Sequence, residues 1–347
     1  MKKKFIVILL LAIIYFTGST LIDAGTFKVV ENKFDGKVLR IYNNMAGPED
    51  LDVDEENGLI FISSSDRRLI KEGKESPNDG IYLLPLDVAA EPSKLPTTLE
   101  GPFHPHGISF FKKEDKSYLF AVNHTQKGDF VEAFQFENQQ LKHLATYEDP
   151  MMCCPNDLVA VDKDKFYVTN DHGNKEGVWR VLEDYLKIPS SYLLYYDGHM
   201  FSKAYEELNY ANGVDVSNDG RKLYLTHTTG RELLTFDRNP KSGFLEIRNT
   251  LKLGTGVDNI NVDKDGNIWV AAHPKLFSFV EHANNAKKKS PSQIMKITPH
   301  GQDAFGVDEI YTNNGEEISG SSAVVSYNGQ IFVGAVFENK LLHANLN

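Results

Sequence analysis

Six short segments, each opening with a polar or charged pair, recur along this chain. Each pair is followed by an alternating apolar strand, a tight turn and a second apolar strand. The pairs are Glu49-Asp50, His106-Gly107, Asn156-Asp157, Asn212-Gly213, Asp258-Asn259 and Ser321-Ser322. Successive pairs lie 46 to 63 residues apart, a period typical of blade repeats rather than of helical solenoids. Because the polar pairs keep one phase, a radial arrangement of the repeats would bring them to a common axis.

The residues between these pairs supply further strands, so that each repeat holds about four. Additional strands are predicted at Gly80 to Leu86, Val131 to Phe136, Leu233 to Phe236 and Gln293 to Ile297. Two-residue hairpin turns are predicted at Asn57-Gly58, Asp219-Gly220, Asp265-Gly266 and Asn328-Gly329. The pattern predicts an all-β fold, a six-bladed β-propeller of four-stranded blades over residues 26–347. A jelly roll or sandwich could use as many strands but would not explain a motif in constant phase.

Helical signal is sparse, and one segment interrupts the strand pattern. Residues Val181 to Tyr196 show an apolar face before Pro189 and a run of aromatic and leucine residues after it. We predict that this segment forms a short helical cover over one end of the propeller. It could act as a lid on a site or simply pack onto the domain.

Residues 1–25 have the pattern of a targeting segment. Three lysines, Lys2 to Lys4, precede the apolar run Phe5 to Phe16 and then small and polar residues. This order is typical of a secretory signal. Counting on through Ile22 brings the run near the roughly 20 residues that a membrane span needs, so a retained anchor is the alternative. Either case predicts a secreted or membrane-anchored domain outside the cytosol.

The charge and the cysteines exclude several classes of function. A net charge of −11 argues against a nucleic-acid partner, because phosphate binding requires a basic surface. The only cysteines, Cys153 and Cys154, are adjacent, so no disulfide closing a long loop can form. We interpret them as two apolar thiols, since a metal role would need further cysteines or a nearby histidine. Their oxidation state is left open.

The polar pairs carry oxygen ligands. The side chains that share the first phase come from four of the six repeats and are Glu49, Asn156, Asn212, Asp258 and Asn259. Carboxylate and amide oxygens in sets of six to eight suit Ca²⁺, whereas zinc prefers histidine and thiolate. Asp50 and Asp157 follow in the next phase, and strand alternation turns them to another side. The sequence therefore predicts a calcium site on the axis and allows a second ion deeper in the structure.

Two histidines share the second repeat. His106 begins it and His124 ends its second strand, 18 residues later. Paired or adjacent strands would bring the two rings together beside the metal set, where they could deprotonate water. A purely structural role for both histidines is the alternative.

These motifs together resemble the paraoxonase/arylesterase family. The segments that carry the resemblance, in order along the chain, are PEDLDV, HPHGISFF, VNHT, CPNDLVAV, FYVTNDHG, ANGVDVS, VDNINVD and AAHPK. The resemblance runs from about residue 28 to the C-terminus. It implies a six-bladed propeller with two Ca²⁺ ions in its central tunnel. It also implies hydrolysis of lactones and aryl esters, with organophosphates as further substrates in some members, and association with membranes or lipoprotein.

The resemblance also implies roles for residues that match the family's motifs. It assigns the catalytic calcium to Glu49, Asn156, Asn212, Asp258 and Asn259, the structural calcium to Asp50, Asp157 and the carbonyl of Ile108, and a catalytic dyad to His106 and His124. Four further residues match positions near the substrate, namely Asp171, His172, Tyr210 and His273. One departure is clear, because neither end of this chain has the cysteine with which secreted vertebrate members close the ring. Closure would then rest on hydrogen bonds and packing.

Several readings of the chemistry stay open at this level. Ca²⁺ would polarise the carbonyl oxygen of the substrate while His106, supported by His124, acts as general base. Alternatively Glu49 or Asp258 could serve as base or nucleophile. A non-catalytic, membrane-anchored propeller that binds or chaperones another protein is the runner-up function. A gluconolactonase-like enzyme also fits the metal site, although the HPHG and CPNDLVAV motifs favour the first family.

Overall fold

A computed structural model of the chain describes residues 2–74, 76–86, 90–301 and 304–347. Two strands precede the first blade, β1 (Lys33–Phe34) and β2 (Gly36–Asn43). The first three blades comprise β3 (Pro48–Asp54), β4 (Leu59–Ser64), β5 (Gly80–Pro85) and β6 (Ser93–Lys94); β7 (Pro105–Lys113), β8 (Lys116–Thr125), β9 (Gly128–Glu137) and β10 (Gln140–Tyr147); and β11 (Pro155–Asp162), β12 (Lys165–Asn170), β13 (Ser191–Tyr196) and β14 (Phe201–Leu208).

The remaining strands complete three more blades. They are β15 (Ala211–Val216), β16 (Lys222–His227), β17 (Glu232–Arg238) and β18 (Leu245–Lys252); β19 (Gly256–Val262), β20 (Ile268–His273), β21 (Ser292–His300) and β22 (Ala304–Asn313); and β23 (Ser321–Tyr327), β24 (Gln330–Ala335) and β25 (Lys340–Leu346). Every pairing within a blade is antiparallel. The predicted six-bladed propeller is therefore confirmed, and each polar pair lies on the innermost strand of its blade.

The ring closes by pairing the two ends of the chain. Strand β2 joins the outer edge of the sixth blade, where Gly36 lies opposite Leu346 and Asn43 opposite Lys340. The short strand β1 extends the fifth blade through Lys33 and Phe34. Backbone pairing thus performs the closure without a terminal disulfide. The six blades also leave few unpaired strand edges, which limits edge-to-edge association.

Apolar side chains from facing blades fill the space between the sheets. Phe120 and Phe166, from the second and third blades, are fully buried in one cluster, and Tyr167 and Leu225 join the third blade to the fourth. Truncating a buried aromatic residue of this kind to alanine costs about 3–5 kcal/mol of folding free energy. The polar axis is therefore held in place by dry layers on every side.

Aspartates on the inner strands fasten neighbouring blades together. Asp50 accepts a hydrogen bond from the backbone N–H of Ile108 at 2.7 Å, and Asp157 accepts one from Val214 at 2.8 Å. Close approach is needed at the same level, because a Cβ at Gly107 would lie 2.4 Å from the Cα of Asp157. Asp215 repeats the pattern with Val262. These contacts fix the relative height of the inner strands and hence of the polar pairs.

The predicted turns are only partly correct. Asn328-Gly329 is a two-residue hairpin turn between Tyr327 and Gln330, and both turn residues have positive φ. The other three dipeptides lie in longer loops in which only the glycine has positive φ, as at Gly58 between the paired residues Asp54 and Leu59. Additional polar residues in those loops supply hydrogen bonds of their own, so that the turn need not be minimal.

Four helices accompany the sheets, namely α1 (Lys2–Asp23), α2 (Arg67–Lys71), α3 (Val178–Leu186) and α4 (Leu276–Asn284). The predicted helical cover is present in α3, but its predicted extension to Tyr196 is wrong. Residues 191–196 form the buried strand β13, because Pro189 ends the helical segment and the apolar run that follows fills the third blade. Helix α4 was not predicted. Within the described part of the chain, no helix is long and apolar enough to span a membrane.

Candidate metal and catalytic site

A cavity of about 800 Å³ opens at the end of the propeller where the polar pairs begin the inner strands. The four helices contribute to its walls through residues such as Ala24 beside the end of α1, Ile70, Tyr185 and Phe279. Its floor contains four of the five residues predicted for the first calcium, and its sides contain both predicted histidines. The structure therefore gathers side chains that the sequence spreads over more than 200 residues.

Four oxygens of the predicted calcium set are buried and lack a hydrogen-bond partner among the described residues. They are Oε2 of Glu49 and the Oδ1 atoms of Asn156, Asn212 and Asn259. Leaving a polar oxygen unpaired in this way costs about 1–3 kcal/mol, unless a ligand satisfies it. The shared position and chemistry of these oxygens fit a hard cation.

The amide nitrogens of two asparagines determine which way the oxygens point. Asn259 donates from Nδ2 to Oε1 of Glu49 at 2.9 Å, and Asn212 donates from Nδ2 to Oγ1 of Thr228 at 3.0 Å. Because each nitrogen is engaged, each Oδ1 remains available to a ligand. From the sixth blade, Ser322 donates to the backbone carbonyl of Glu49 at 2.6 Å. The sixth blade thus positions a predicted ligand without supplying one.

Glu49 remains ionised in this setting. Burial alone would raise the pKa of its carboxyl, but His106, Arg67 and Asn259 outweigh that effect and lower it to about 2. The Nε2 atom of His106 lies 3.4 Å from Oε1, and a guanidinium nitrogen of Arg67 lies 3.6 Å from Oε2. The contact with Arg67 is an ion pair beyond hydrogen-bond length, which agrees with Oε2 lacking a hydrogen bond.

Asp258 is held by His273. Its Oδ2 lies 2.7 Å from Nε2 of His273, whose ring stacks on Phe279 with a centroid separation of 3.8 Å. Burial raises the pKa of Asp258, the nearby charge of Glu49 adds to the increase, and His273 opposes it. A histidine that orients a carboxylate in this way is typical of the outer layer of a metal site. His273 was predicted near the substrate; the structure places it against Asp258.

The residues predicted for a second calcium lie one level deeper. Burial and the charges of Asp157 and Glu49 raise the pKa of Asp50, and burial together with Glu49 raises that of Asp157. Each carboxylate oxygen already accepts one backbone N–H, including that of Ile108. These Asp residues therefore fasten blades even without an ion, and their uncompensated charge would be stabilised by a cation.

The donor set of the first site is unusual in its low charge. Within residues 2–74, 76–86, 90–301 and 304–347, no group of three or more histidine, cysteine, aspartate or glutamate side chains is arranged to hold a metal ion. Only Glu49 and Asp258 bring carboxylates to the first set. A cation there would depend on the three asparagine oxygens, which suits Ca²⁺ better than a softer metal.

The two predicted histidines are in contact. Nε2 of His124 lies 3.0 Å from Nδ1 of His106, and Nδ1 of His124 lies 2.8 Å from Oδ1 of Asp129. Because a carboxylate can only accept, Nδ1 of His124 carries the proton, and its neutral ring accepts from His106 through Nε2. That arrangement leaves Nε2 of His106 as the free base, facing Glu49. Burial lowers the pKa of His124, against the opposing effect of Asp129, which keeps its ring neutral.

The other predicted pocket residues form one wall. His172 contacts Asp171 at 2.6 Å and Asp184 of helix α3 at 3.0 Å. Burial acts to lower its pKa, but the two carboxylates raise it to about 9. The ring of Tyr210 meets that of His172 edge to face at a centroid distance of 4.8 Å. This wall is a charged, ordered cluster that shapes the cavity beside Asn212.

Three residues of the site were missed at the level of the sequence. Asp129 could have been found, because it lies directly opposite His124 across the hairpin between β8 and β9. Arg67 and Asp184 lie on the inserted helices α2 and α3, where no repeat marks their position. Arg67 is also held by the carbonyl oxygens of Gly47 and Ser65.

Comparison with known proteins agrees with this geometry. The family model described as Arylesterase matches residues 91–346. The chain belongs to the arylesterase family. It is 32% identical to human serum paraoxonase/arylesterase 1 over 311 residues, which cover 85% of each chain, and 31% identical over 311 residues to serum paraoxonase/arylesterase 2 of Gallus gallus, again covering 85% of each.

Solved structures show the same fold at low identity. A gluconolactonase from Xanthomonas campestris matches with a TM-score of 0.55 and 14% identity, covering 92% of this chain and 97% of its own. The calcium-binding protein regucalcin from Agrobacterium tumefaciens matches with a TM-score of 0.54 and 13% identity, over 90% and 94% of the two chains. These likenesses support the propeller architecture of the arylesterase family member described here.

Proposed function

We propose that this chain is a calcium-dependent hydrolase of lactones and aryl esters that holds two Ca²⁺ ions in its tunnel. The observation that carries the proposal is the set of four buried, unpartnered oxygens on the floor of a cavity whose wall contains a histidine pair. Membership of the arylesterase family supports hydrolysis of an ester bond. The regucalcin likeness concerns the fold alone and adds no argument about the ion.

The first ion would be held by Glu49, Asn156, Asn212, Asp258 and Asn259, and the second by Asp50, Asp157 and the carbonyl of Ile108. A bound Ca²⁺ supplies electrostatic stabilisation of negative charge that develops on the carbonyl oxygen of an ester. The protein positions the ligand oxygens through Thr228, His273 and Ser322.

His106 would act as the general base. Its Nδ1–H donates to His124, so its Nε2 has a free electron pair that can take a proton from an attacking water. The resulting imidazolium would face Glu49, whose carboxylate stabilises the positive charge at 3.4 Å. His124 and Asp129 keep the tautomer that makes this transfer work. A direct role of Glu49 or Asp258 as base or nucleophile is the alternative within the same site.

Substitution of one residue of each kind tests the assignment. His106→Gln should lower turnover of phenyl acetate by at least a hundredfold and leave the calcium content unchanged. Asp258→Ala should abolish both turnover and retention of the first ion. His143→Gln is the matched control, since His143 pairs with Glu132 on the same blade but does not line the cavity. Normal turnover in the His106 variant would show that a metal-bound carboxylate is the base.

Substrate class and function class are tested together. Hydrolysis of phenyl acetate, of lactones of graded chain length and of an organophosphate triester should be measured with and without a calcium chelator. Chelator-sensitive hydrolysis is expected for the esters and lactones, and re-addition of Ca²⁺ should restore it. If every substrate is inert although Ca²⁺ binds, the non-catalytic propeller that binds another protein becomes the better account.

We further propose that the face carrying α1 and α3 can associate with a lipid surface. Helix α1 exposes apolar side chains that include Leu11, Ile14 and Phe16, and α3 exposes Val178 and Trp179, the latter at 66%. Apolar surface and Trp side chains of this kind favour the membrane interface. Flotation with phosphatidylcholine vesicles should recover the full chain, and Trp179→Ser should reduce recovery. Equal recovery of Phe244→Ser, an exposed aromatic in another blade, is the expected control result.

A further inference from the structure

The two cysteines of the chain lie side by side on the wall of the cavity. Sγ of Cys153 is 2.8 Å from Sγ of Cys154, and both residues contribute to the cavity lining. Cys153 is half-buried and Cys154 is 7% exposed. Side chains of consecutive residues in an extended strand would point to opposite faces, so the bend before β11 is what turns both sulfurs the same way.

The surroundings leave the thiols with no partner but each other. The thiol of Cys153 donates to the backbone carbonyl of His172 at 3.1 Å, and a guanidinium nitrogen of Arg180 lies 3.7 Å from Sγ of Cys154. The sequence contains no third cysteine, and among the described residues no cluster of metal-ligating side chains includes this pair. Burial in an apolar core, which the sequence suggested, is therefore not the whole setting of these residues.

We propose that Cys153 and Cys154 form a reversible redox site that closes to a vicinal disulfide when a small peroxide enters the cavity. Consecutive Cα atoms are about 3.8 Å apart, below the usual range for a disulfide, so the closed ring is strained. Strained, accessible disulfides are the ones that thiols reopen readily. The pair is thus suited to cycling and not to permanent cross-linking.

The oxidation balances with hydrogen peroxide or an organic hydroperoxide as the oxidant. The thiolate of Cys153 attacks the peroxide, so that an S–O bond forms, the O–O bond breaks, and the departing oxygen leaves as water or an alcohol. The sulfur of Cys154 then displaces the hydroxyl of the sulfenic acid; an S–S bond forms, the S–O bond breaks, and a water leaves with the thiol proton. Two thiols lose two electrons in total and one peroxide gains them.

Cys153 is the sulfur that attacks first. The hydrogen bond from Cys154 lowers the pKa of Cys153 to about 7, against the opposing effect of burial. A thiol with a pKa near ambient pH combines a large thiolate fraction with good nucleophilicity. Its partial exposure to the cavity also gives a peroxide access that Cys154 lacks.

The test measures the thiols directly and does not depend on hydrolytic activity. The reduced full-length protein is treated with one equivalent of hydrogen peroxide, denatured in N-ethylmaleimide, and examined by intact-mass spectrometry. The expected product is lighter by about 2 Da and takes up no maleimide, whereas the untreated protein takes up two. Treatment with a phosphine reductant should restore both labels.

Single variants distinguish the ring from ordinary thiol oxidation. Cys154→Ala should stop at the sulfenic acid, which dimedone traps at Cys153, and should then advance to the sulfinic acid. Cys153→Ala should react at least tenfold more slowly. The proposal is overturned if the wild-type protein keeps two maleimide-reactive thiols, forms intermolecular dimers, or reaches the sulfinic acid as fast as Cys154→Ala does. Each outcome is independent of whether the chain hydrolyses esters.

Discussion

The side-chain amide of Asn259 donates to Oε1 of Glu49 at 2.9 Å across 210 residues of chain. One side chain thereby does two things, because its nitrogen restrains a carboxylate of the first blade while its unpartnered Oδ1 stays available. The contact links the fifth blade to the first past the sixth. It also means that the proposed ligand set is partly assembled before any ion binds, which reduces the ordering that binding must supply.

Asn259→Leu should weaken calcium binding at the first site at least tenfold. The substitution removes both the oxygen ligand and the hydrogen bond that restrains Glu49, while leaving a side chain of similar size. Calorimetric titration with Ca²⁺ measures the change. Asn345→Leu on the outer strand β25 is the control and should bind as the wild type does. Equal affinity in both variants would remove Asn259 from the ligand set.

Arg67→Met should strengthen calcium binding about fivefold, because the guanidinium lies 3.6 Å from Glu49 and would repel a cation at the same carboxylate. Arg68→Met is the matched control. Arg68 is the next residue of α2, but its contacts go to the carbonyl oxygens of Phe337 and His282. A weaker affinity in Arg67→Met would instead indicate that Arg67 holds Glu49 in the binding position.

Asp129→Asn should lower kcat by about ten- to a hundredfold and move the acid limb of the pH–rate profile to lower pH. The carboxylate raises the pKa of His124 and fixes its tautomer, so its loss affects both. Lys175→Met removes the other partner of the same carboxylate and keeps Asp129 itself. A small effect is expected there. If the two variants behave alike, the ion pair matters and not the histidine contact.

His172 should stabilise the fold more in acid than in base. Its pKa in the folded protein is about 9, above the ordinary value of 6.5, so its contribution is complete below pH 6.5 and is lost as the pH rises through 9. The contribution is on the order of 1–2 kcal/mol, because Asp184 is 41% exposed. The Tm difference between wild type and His172→Gln should be several degrees at pH 6 and shrink by pH 9.5, at constant calcium. His199→Gln, an exposed control, should show no such trend.

The repeat made the inner strands predictable, while the inserted elements were not. Glu49, Asn156 and Asn212 occupy one phase of the same supersecondary unit, so their convergence follows from the period and from the radial symmetry of the blades. Arg67 and Asp184 reach the cavity from helices inserted between strands, where position depends on packing against the ring. Helix α4 was missed for that reason. The residues that depart from the repeat are therefore those for which a structure was needed.

The pocket residues show the same limit at finer scale. His273 and His172 were placed near the site from their sequence context, but their contacts were not foreseen. His273 supports Asp258, and His172 lies between two carboxylates. Such details depend on side-chain orientation on strands of different blades, which strand periodicity determines only as one face or the other.

The union of β2 with β25 imposes an order on the birth of the molecule. Residues 340–346 are among the last that the ribosome adds, yet they carry the partner of a strand made near the beginning. Five blades can take shape while the chain is still growing, but the ring stays open until synthesis has ended. During that interval the waiting edge of β2 can be captured by a neighbouring nascent chain. Loss of even a few terminal residues would make that vulnerable state permanent.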